Sequence, residues 1–134
     1  MRTAQDIEAY LGKLNRQYAM VENEAGTYLI HSSSAMPPIA LRVDAPLVIL
    51  RVHIGDVPQK GFEPTALFRK LLQLNAKALV HASFGLEDDR IVLSAALELE
   101  NLDFNELQAA LDEFDLTLAQ QVPSLAELSK GRGN

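Results

Sequence analysis

A two-residue alternation of apolar side chains runs through residues 80–99 and limits what this part of the chain can form. Before three consecutive acids the even positions are apolar, and after the acids the odd positions are apolar. The two sets are Val80, Ala82, Phe84 and Leu86, then Ile91, Leu93, Ala95, Leu97 and Leu99. Because successive side chains of a strand point to opposite faces, the pattern predicts two strands, over 78–86 and 91–99, with the even positions of the first and the odd positions of the second facing the core. A four-residue hairpin loop over 87–90 is predicted between them.

The first third of the chain predicts a helix followed by a meander of three strands. Apolar residues recur at three- and four-residue steps over 3–18, behind Thr3 as a possible N-cap with Asp6 three places on. The runs TYLIH, IALRV and LVILRVHI follow, separated by SSSAMPP and by DAP, and their β-rich composition predicts strands. The third run, over 47–54, is apolar at nearly every position, which predicts a central strand covered on both faces.

A second helix, TALFRKLLQLN, is predicted after Pro64, and its apolar arc is too broad for one packed surface. Proline suits the first turn of a helix because its missing N–H is not needed there. At 100° per residue the apolar positions cover about 160°, whereas one packed surface requires a stripe of ~100°. These positions are Leu67, Phe68, Leu71, Leu72 and Leu74. We therefore expect this helix to cover the sheet and a second surface, for which a second subunit is one candidate.

A third helix is predicted from Asp103, an N-cap with Glu106 at the third helical position. Its apolar residues step by three and four, and they are Phe104, Leu107, Leu111, Phe114 and Leu118. Past Pro123, a short apolar turn is expected to precede the polar tail SKGRGN, which we expect to be mobile. The order of elements predicts an α+β fold with an antiparallel sheet, α-β-β-β-α-β-β-α. We predict one domain over 1–122 and a C-terminal extension over 123–134.

Composition excludes several classes of function. A chain of 134 residues with 48% hydrophobic and 22% charged residues is typical of one soluble domain. No run approaches the ~20 apolar residues of a transmembrane helix and the first residues lack the apolar stretch of a secretory signal, so we expect a cytoplasmic protein. The net charge of −6 disfavours nucleic acid and anionic membranes, and 6% aromatics without tryptophan disfavours carbohydrate. Without cysteine, disulfides, thiolate metal sites and cysteine nucleophiles are excluded.

Two groups of carboxylates could bind metal or act as acid and base, and each has a simpler explanation. Glu87, Asp88 and Asp89 lack the alternating acids and the glycine of a calcium loop, so a solvated turn is expected. Glu98 and Glu100 would project from one strand face about 7 Å apart, near the carboxylate spacing of an inverting glycosidase. Alternating glutamates are, however, usual on the solvent face of a strand.

Histidines and serines give no better support for catalysis. The candidates are His31, His53 and His81, on three predicted strands, and Ser32, Ser33 and Ser34 beside the first of them. The histidines lack the spacing of a zinc motif, and the serines lack the glycine-flanked elbow of an activated nucleophile. The glycines form no phosphate-binding loop. We predict no catalytic residue, no metal and no cofactor.

An ordered set of features over 62–118 resembles the type III secretion chaperone-like fold of bacterial class I secretion chaperones and YbjN-like proteins. The set is a leucine-rich helix closing in LN, a strand, an acidic turn, a second strand and an amphipathic helix begun by LD. In this sequence these are LLQLN at 71–75, the strand over 78–86, the turn over 87–90, the strand over 91–99 and LDFNEL at 102–107. The resemblance implies a non-catalytic homodimer that binds a partner protein.

The resemblance also implies where the contacts lie. The second helix and the following strand would form much of the contact between subunits. Candidate interface residues are Leu67, Phe68, Leu71, Leu72, Leu74 and Val80. Apolar patches on the first helix and the meander would bind a partner segment in extended form, sometimes with pairing to a sheet edge. Candidate partner-binding residues are Tyr10, Leu14, Tyr18, Leu29 and Ile39, each of which could equally fill the core of the monomer.

Two alternatives stay open at the level of sequence. A YbjN-like regulatory protein of the same fold would bind a partner that is not secreted. A small hydrolase or metalloenzyme would use the histidines, or Glu98 with Glu100. The first alternative differs from the chaperone only in the partner, so the sequence of this chain does not separate them.

Overall fold

The computed structural model describes residues 1–31, 36–59 and 61–129, and within them the chain forms three helices and six strands. The elements are α1 (Ala4–Lys13), β1 (Tyr18–Met20), β2 (Thr27–Ile30), β3 (Ile39–Asp44), β4 (Leu47–Asp56), α2 (Thr65–Lys77), β5 (Ser83–Glu87), β6 (Arg90–Glu98) and α3 (Phe104–Ser129). Neighbouring strands are antiparallel, in the order β1-β2-β3-β4-β6-β5. The predicted α+β class is confirmed, with one strand more than the sequence indicated.

The additional strand is β1, and the first helix is correspondingly shorter than predicted. Asn15 has a left-handed φ of 55°, a conformation that follows the ends of helices, and α1 ends at Lys13. Tyr18, expected as the last apolar residue of the helix, instead opposes Ile30 in the β1–β2 ladder. The predicted helix over 3–18 is therefore wrong beyond Lys13. The three strands of the predicted meander are confirmed as β2, β3 and β4.

The predicted hairpin is formed by β5 and β6, with different limits. The odd positions of β6 face the core as expected. β5 begins only at Ser83, and residues 78–82 form a connection instead of a strand. Val80 is consequently 81% exposed, and Leu86 is 45% exposed, so the expectation that the even positions face the core is wrong for these two residues and holds for Ala82 and Phe84. Glu87 already pairs with Arg90, which leaves a turn of two residues instead of four.

β4 lies in the middle of the sheet, but only one of its faces is fully buried. Val48, Leu50 and Val52 are at most 1% exposed and belong to one core with residues of all three helices. Leu47 and Ile49, on the other face, are only partly buried. The expectation that both faces are covered is wrong for the single chain, because the helices pack on the same side. Each fully buried aliphatic side chain stabilises the fold by about 1.5–3 kcal/mol.

The third predicted helix is confirmed, and its start is capped as the sequence indicates. Asp103 Oδ1 accepts the N–H of Glu106 at 2.8 Å, and Glu106 Oε1 accepts the N–H of Asp103 at 3.0 Å. The helix continues through Pro123 to Ser129, so the apolar turn expected there is wrong. Leu125 is 3% exposed in the common core, and its burial offsets the hydrogen bond that proline cannot donate.

The division into a domain over 1–122 and an extension over 123–134 stays a prediction. Most of the tail that the sequence analysis expected to be mobile, from residue 130 onward, lies outside the described residues. Within the described ranges, no helix is both long enough and apolar enough to cross a membrane.

The start of α1 is held by the predicted capping pair of Thr3 and Asp6. Thr3 Oγ1 accepts the N–H of Asp6 at 3.3 Å, and Asp6 Oδ2 accepts the N–H of Thr3 at 2.8 Å. The N–H and the hydroxyl of Thr3 both donate to Asp6 Oδ2, and because these two hydrogen bonds favour the ionised carboxylate, they lower the pKa of Asp6 below its ordinary value of 3.8.

Replacing Asp6 by Asn should make the fold less sensitive to acid. The lowered pKa means that the stabilisation by Asp6 is present above pH 3.8 and is lost as the pH falls through the lower pKa of the folded state. Asp6→Asn should therefore be less stable than the wild type at neutral pH and should lose less stability on acidification, measured by urea unfolding at pH 7 and pH 3. Glu22→Gln, at an exposed position before β2, controls for the removal of one negative charge. An unchanged pH dependence in Asp6→Asn would contradict this account.

Candidate protein-interaction surfaces

The broad apolar arc of α2 divides into two faces. Leu67, Leu71 and Leu74 are at most 7% exposed and pack in the core. Phe68 is partly buried at the rim of the core, and Leu72 is 68% exposed. The expectation that α2 presents a second apolar surface beyond the one covering the sheet therefore agrees with the burial of its side chains. Three of the six candidate interface residues belong to the core instead of the surface.

The outward side of α2 and the neighbouring β5 form an apolar surface, which we call the α2–β5 patch. Its members are Phe68, Leu72, Ala76 and Leu86. The three helical members are four residues apart, so they form one ridge along the helix. Between α2 and β5 lies a largely apolar hollow of about 310 Å³, with Phe84 and Gly85 among its lining residues. Contiguous exposed apolar side chains are a common feature of protein interaction sites, so this patch is a candidate for one.

The connection between α2 and β5 is held by the carboxylate of Glu113 on α3. Its oxygens accept the backbone N–H groups of Val80 at 2.7 Å, His81 at 2.9 Å and Ala82 at 2.9 Å. Three donors on one carboxylate fix the path of residues 78–82, and this path directs the side chain of Val80 to solvent. The alternation of the sequence did not indicate this connection, because the interaction joins positions more than thirty residues apart.

A second surface is the free edge of β1. Gln17 and Val21 flank β1, and both form backbone hydrogen bonds at the ends of β2. The N–H of His31 donates to the carbonyl of Gln17 at 2.9 Å, and the N–H of Val21 donates to the carbonyl of Thr27 at 2.8 Å. Since alternate residues of an antiparallel strand bond to opposite sides, the backbone groups of Tyr18 and Met20 point away from β2. The side chain of Met20 is 59% exposed. The β1 edge therefore offers both main-chain hydrogen bonds and an apolar side chain.

The side chains next to the β1 edge are fixed by aromatic contacts. The rings of Tyr18 and Tyr28 meet edge to face at 6.2 Å between centroids, and Tyr28 Oη donates to Glu8 Oε1 at 3.2 Å. Burial raises the pKa of Tyr28, and the hydrogen bond to Glu8 raises it further. On α1, Tyr10 Oη donates to the carbonyl of Leu102 at 3.1 Å.

The five candidate partner-binding residues do not share one surface. Tyr10, Leu14 and Tyr18 lie on the helix side of the sheet, partly buried at the rim of the core. Leu29 points to the opposite side, because its neighbours along β2 face the core. Ile39 is 0% exposed, so it contributes to the core and not to a surface.

The open face of the sheet carries a groove of about 530 Å³ that the sequence analysis did not identify. Its lining residues are Pro37, Pro38, Ala40, Arg51, His53, Glu87, Arg90 and Val92. Arg51 forms an ion pair with Glu87 across the strands, and His53 Nε2 lies 2.9 Å from Asp56 Oδ1. These residues come from distant parts of the sequence, so no local pattern could have indicated the groove.

The residues considered for catalysis are dispersed. His31 follows β2, His53 lies on β4, and His81 lies in the connection before β5. In the ranges that the structure describes, no group of three or more His, Cys, Asp or Glu side chains is placed to hold a metal ion. Because β6 ends at Glu98, the expectation that Glu98 and Glu100 share a strand face is wrong. The serines at 32–34 lie outside the described residues.

The α+β fold, with its six-stranded antiparallel sheet and three helices, matches that of solved type III secretion chaperones. The sequence matches the CesT_Tir_1 family over residues 1–131, so this chain belongs to that family of secretion chaperones. The resemblance carried by residues 62–118 is thereby confirmed. Proteins of this family are chaperones and not enzymes. No match is found among characterised protein sequences.

Solved structures share the fold at low sequence identity. A chain of the heterodimeric ExoU–SpcU complex from the type III secretion system of Pseudomonas aeruginosa is 21% identical, with a TM-score of 0.68, over 87% of this chain and 95% of that chain. A chain from the structure of the Yersinia pestis type III secretion chaperone SycH in complex with a fragment of YscM2 is 16% identical, with a TM-score of 0.60. The match covers 92% of this chain and 99% of that chain. YbjN from E. coli is 11% identical, with a TM-score of 0.65, and the match covers 87% of this chain and 89% of that chain.

Removing the Glu113 carboxylate should loosen the connection before β5. Glu113→Ala should destabilise the fold by about 1–2 kcal/mol, since three backbone donors lose a charged acceptor but water replaces part of the loss. Glu113→Gln, which keeps one acceptor oxygen, should lose less, and Gln108→Ala, exposed on the same helix, should be neutral. Urea unfolding measures these differences, and equal stability of Glu113→Ala and Gln108→Ala would argue against the interaction.

Proposed function

We propose that this chain is a non-enzymatic binding protein of the cytoplasm that forms a homodimer through α2 and holds a partner protein in extended form. The observation that carries the proposal is the α2–β5 patch, in which Leu72 and Leu86 are 68% and 45% exposed beside an apolar hollow. Membership of a chaperone family supports protein binding as the activity. The dimer and the mode of partner binding are inferred from the surfaces themselves.

The dimer is supported by the shape of α2. A symmetric dimer brings the same surface of both subunits together, so the ridge of Phe68, Leu72 and Ala76 would meet its own copy. Ridges of residues four apart pack well against each other, because each ridge fits the groove beside the other. Burying Leu72 would remove an exposed apolar side chain from water, at a gain of about 1.5–3 kcal/mol per subunit. Leu67, Leu71 and Leu74 would support α2 from below.

Replacing each of two adjacent leucines of α2 by aspartate distinguishes loss of the dimer from loss of the fold. Leu72→Asp should give a monomer with an unchanged circular dichroism spectrum, because Leu72 is exposed in the single chain. Leu71→Asp should unfold the protein, because it places a charge in the core. Gln108→Asp on α3 should remain a dimer. Light scattering gives the mass of each variant, and a wild type that is monomeric, or a Leu72→Asp variant that is still dimeric, would refute the proposed dimer.

Partner binding is supported by the β1 edge. A segment added beside β1 would bond to the outward backbone groups of Tyr18 and Met20, and its side chains would alternate between the two faces of the sheet. On the helix side they would meet the surface formed by Tyr10 and Leu14. On the other side they would approach Leu29. Four of the five residues predicted from the sequence could thus contact one extended segment, although they lie on two faces.

Proline at position 20 should test this edge directly. Met20→Pro removes an N–H that points away from β2, so the fold should persist while the partner is lost. Ala19→Pro removes an N–H that bonds to β2 and controls for damage to the sheet. The measurement is recovery of a specific protein with the tagged wild type from extracts of its own host, identified by mass spectrometry. If a folded Met20→Pro variant recovered as much of the partner protein as the wild type does, the β1 edge would be ruled out as the partner-binding site.

The nature of that protein separates the two forms of the proposal. A secreted protein bound through its N-terminal region would identify a secretion chaperone. A regulatory or housekeeping protein would favour the alternative, a regulator of the same fold, which is supported by the structural similarity to YbjN with a TM-score of 0.65.

A further inference from the structure

The edge strand β5 is covered at its centre by one side chain of α2. Asn75 Oδ1 accepts the backbone N–H of Phe84 at 2.8 Å, and Asn75 Nδ2 donates to the backbone carbonyl of Phe84 at 3.1 Å. These are the two hydrogen bonds that a residue of a neighbouring antiparallel strand would exchange with Phe84. A single carboxamide thus takes the place of the next strand.

The bonds to Asn75 also identify which backbone groups of β5 face outward. Phe84 directs its N–H and carbonyl away from β6, toward α2. Bonding alternates along an antiparallel strand, so Leu86, two residues further, also directs its groups outward, while Gly85 bonds to β6. A strand added to this edge would need both outward residues, and Asn75 occupies one of them.

The donors that precede β5 are occupied as well. Glu113 accepts the N–H groups of Val80, His81 and Ala82, and Asn75 accepts that of Phe84. Leu86, beside the two-residue turn, is the outward position of β5 that these two side chains leave open. The backbone N–H groups of Val80, His81, Ala82 and Phe84 are therefore already bonded to side chains of the same chain.

We propose that Asn75 is an edge-blocking residue, which keeps β5 from pairing with the β5 strand of a second copy of this chain. Exposed edge strands beside apolar surface are sites of intermolecular pairing and aggregation. The α2–β5 patch lies beside such an edge, and without the block it would bring two β5 edges together. With the block in place, contact between copies at this patch is restricted to side-chain packing. The inference does not require that the protein be a chaperone or a dimer.

Removing the carboxamide should open the edge. Asn75→Ala should keep the circular dichroism spectrum of the wild type and should form assemblies larger than those of the wild type, increasing with concentration in light scattering. The amide proton of Leu86 should become protected from hydrogen exchange in those assemblies. The double variant Asn75→Ala, Leu86→Pro should not form assemblies larger than those of the wild type, because proline removes the remaining outward N–H of the edge. Gln73→Ala, exposed on the same helix, should behave as the wild type.

Hydrogen exchange in the wild type tests the proposal even if Asn75→Ala does not fold. The amide of Phe84, which donates to Asn75, should exchange at least roughly tenfold more slowly than that of Leu86 at every protein concentration. A Phe84 amide that exchanges as fast as that of Leu86 would overturn the proposal, since Asn75 would then not be occupying the edge. A folded Asn75→Ala variant with the wild-type mass at all concentrations would overturn it too. A monomeric wild type would refute the proposed dimer but not the role of Asn75, which the exchange rates of Phe84 and Leu86 would still test.

Discussion

The antiparallel ladder between β4 and β6 joins the two halves of the chain, and the positions of the other elements follow from it. The ladder extends from Leu47 opposite Glu98 to Asp56 opposite Arg90. Because β6 occupies the place beside β4, its hairpin partner β5 becomes the edge of the sheet. The chain between β4 and β5 must then cross the sheet as α2. One long-range pairing thereby creates both an edge strand and a helix beside it, which together form the α2–β5 patch.

Two side chains on helices form hydrogen bonds to the backbone at the β5 edge and just before it. Glu113 on α3 and Asn75 on α2 bind the backbone of residues 80–84, where a further strand would otherwise bind. The opposite edge, β1, keeps the backbone groups of Tyr18 and Met20 directed outward. Among the described residues, β5 is therefore a partly closed edge, with Phe84 bonded and Leu86 still open, whereas β1 is an open edge. In the function we propose, the partly closed edge borders the contact between subunits and the open edge receives an extended partner.

The sequence predicted features that depend on local periodicity and local capping. The alternation in β6, the Thr3 and Asp103 caps and the excess apolar arc of α2 are properties of neighbouring residues, and the structure contains all of them. Features that depend on distant residues were missed. Residues 78–82 alternate like a strand but are held by Glu113, and α3 continues past Pro123 to Leu125, which packs in the common core. β1 was missed for another reason, because three residues are too few to show alternation. Periodicity alone also could not say which apolar residues of α2 face the core.

The central claim, that α2 of one copy meets α2 of another, can be tested by measuring the distance between two spin labels in the assembled protein. The chain contains no cysteine, so one introduced cysteine labels one site in each copy. With labels at position 73 on α2, pulsed dipolar spectroscopy should give a short, defined distance, since packed helices lie about 8–10 Å apart. Labels at position 22, beyond β1, should be much further apart. Absence of coupling at 73, or close approach only at 22, would contradict the claim.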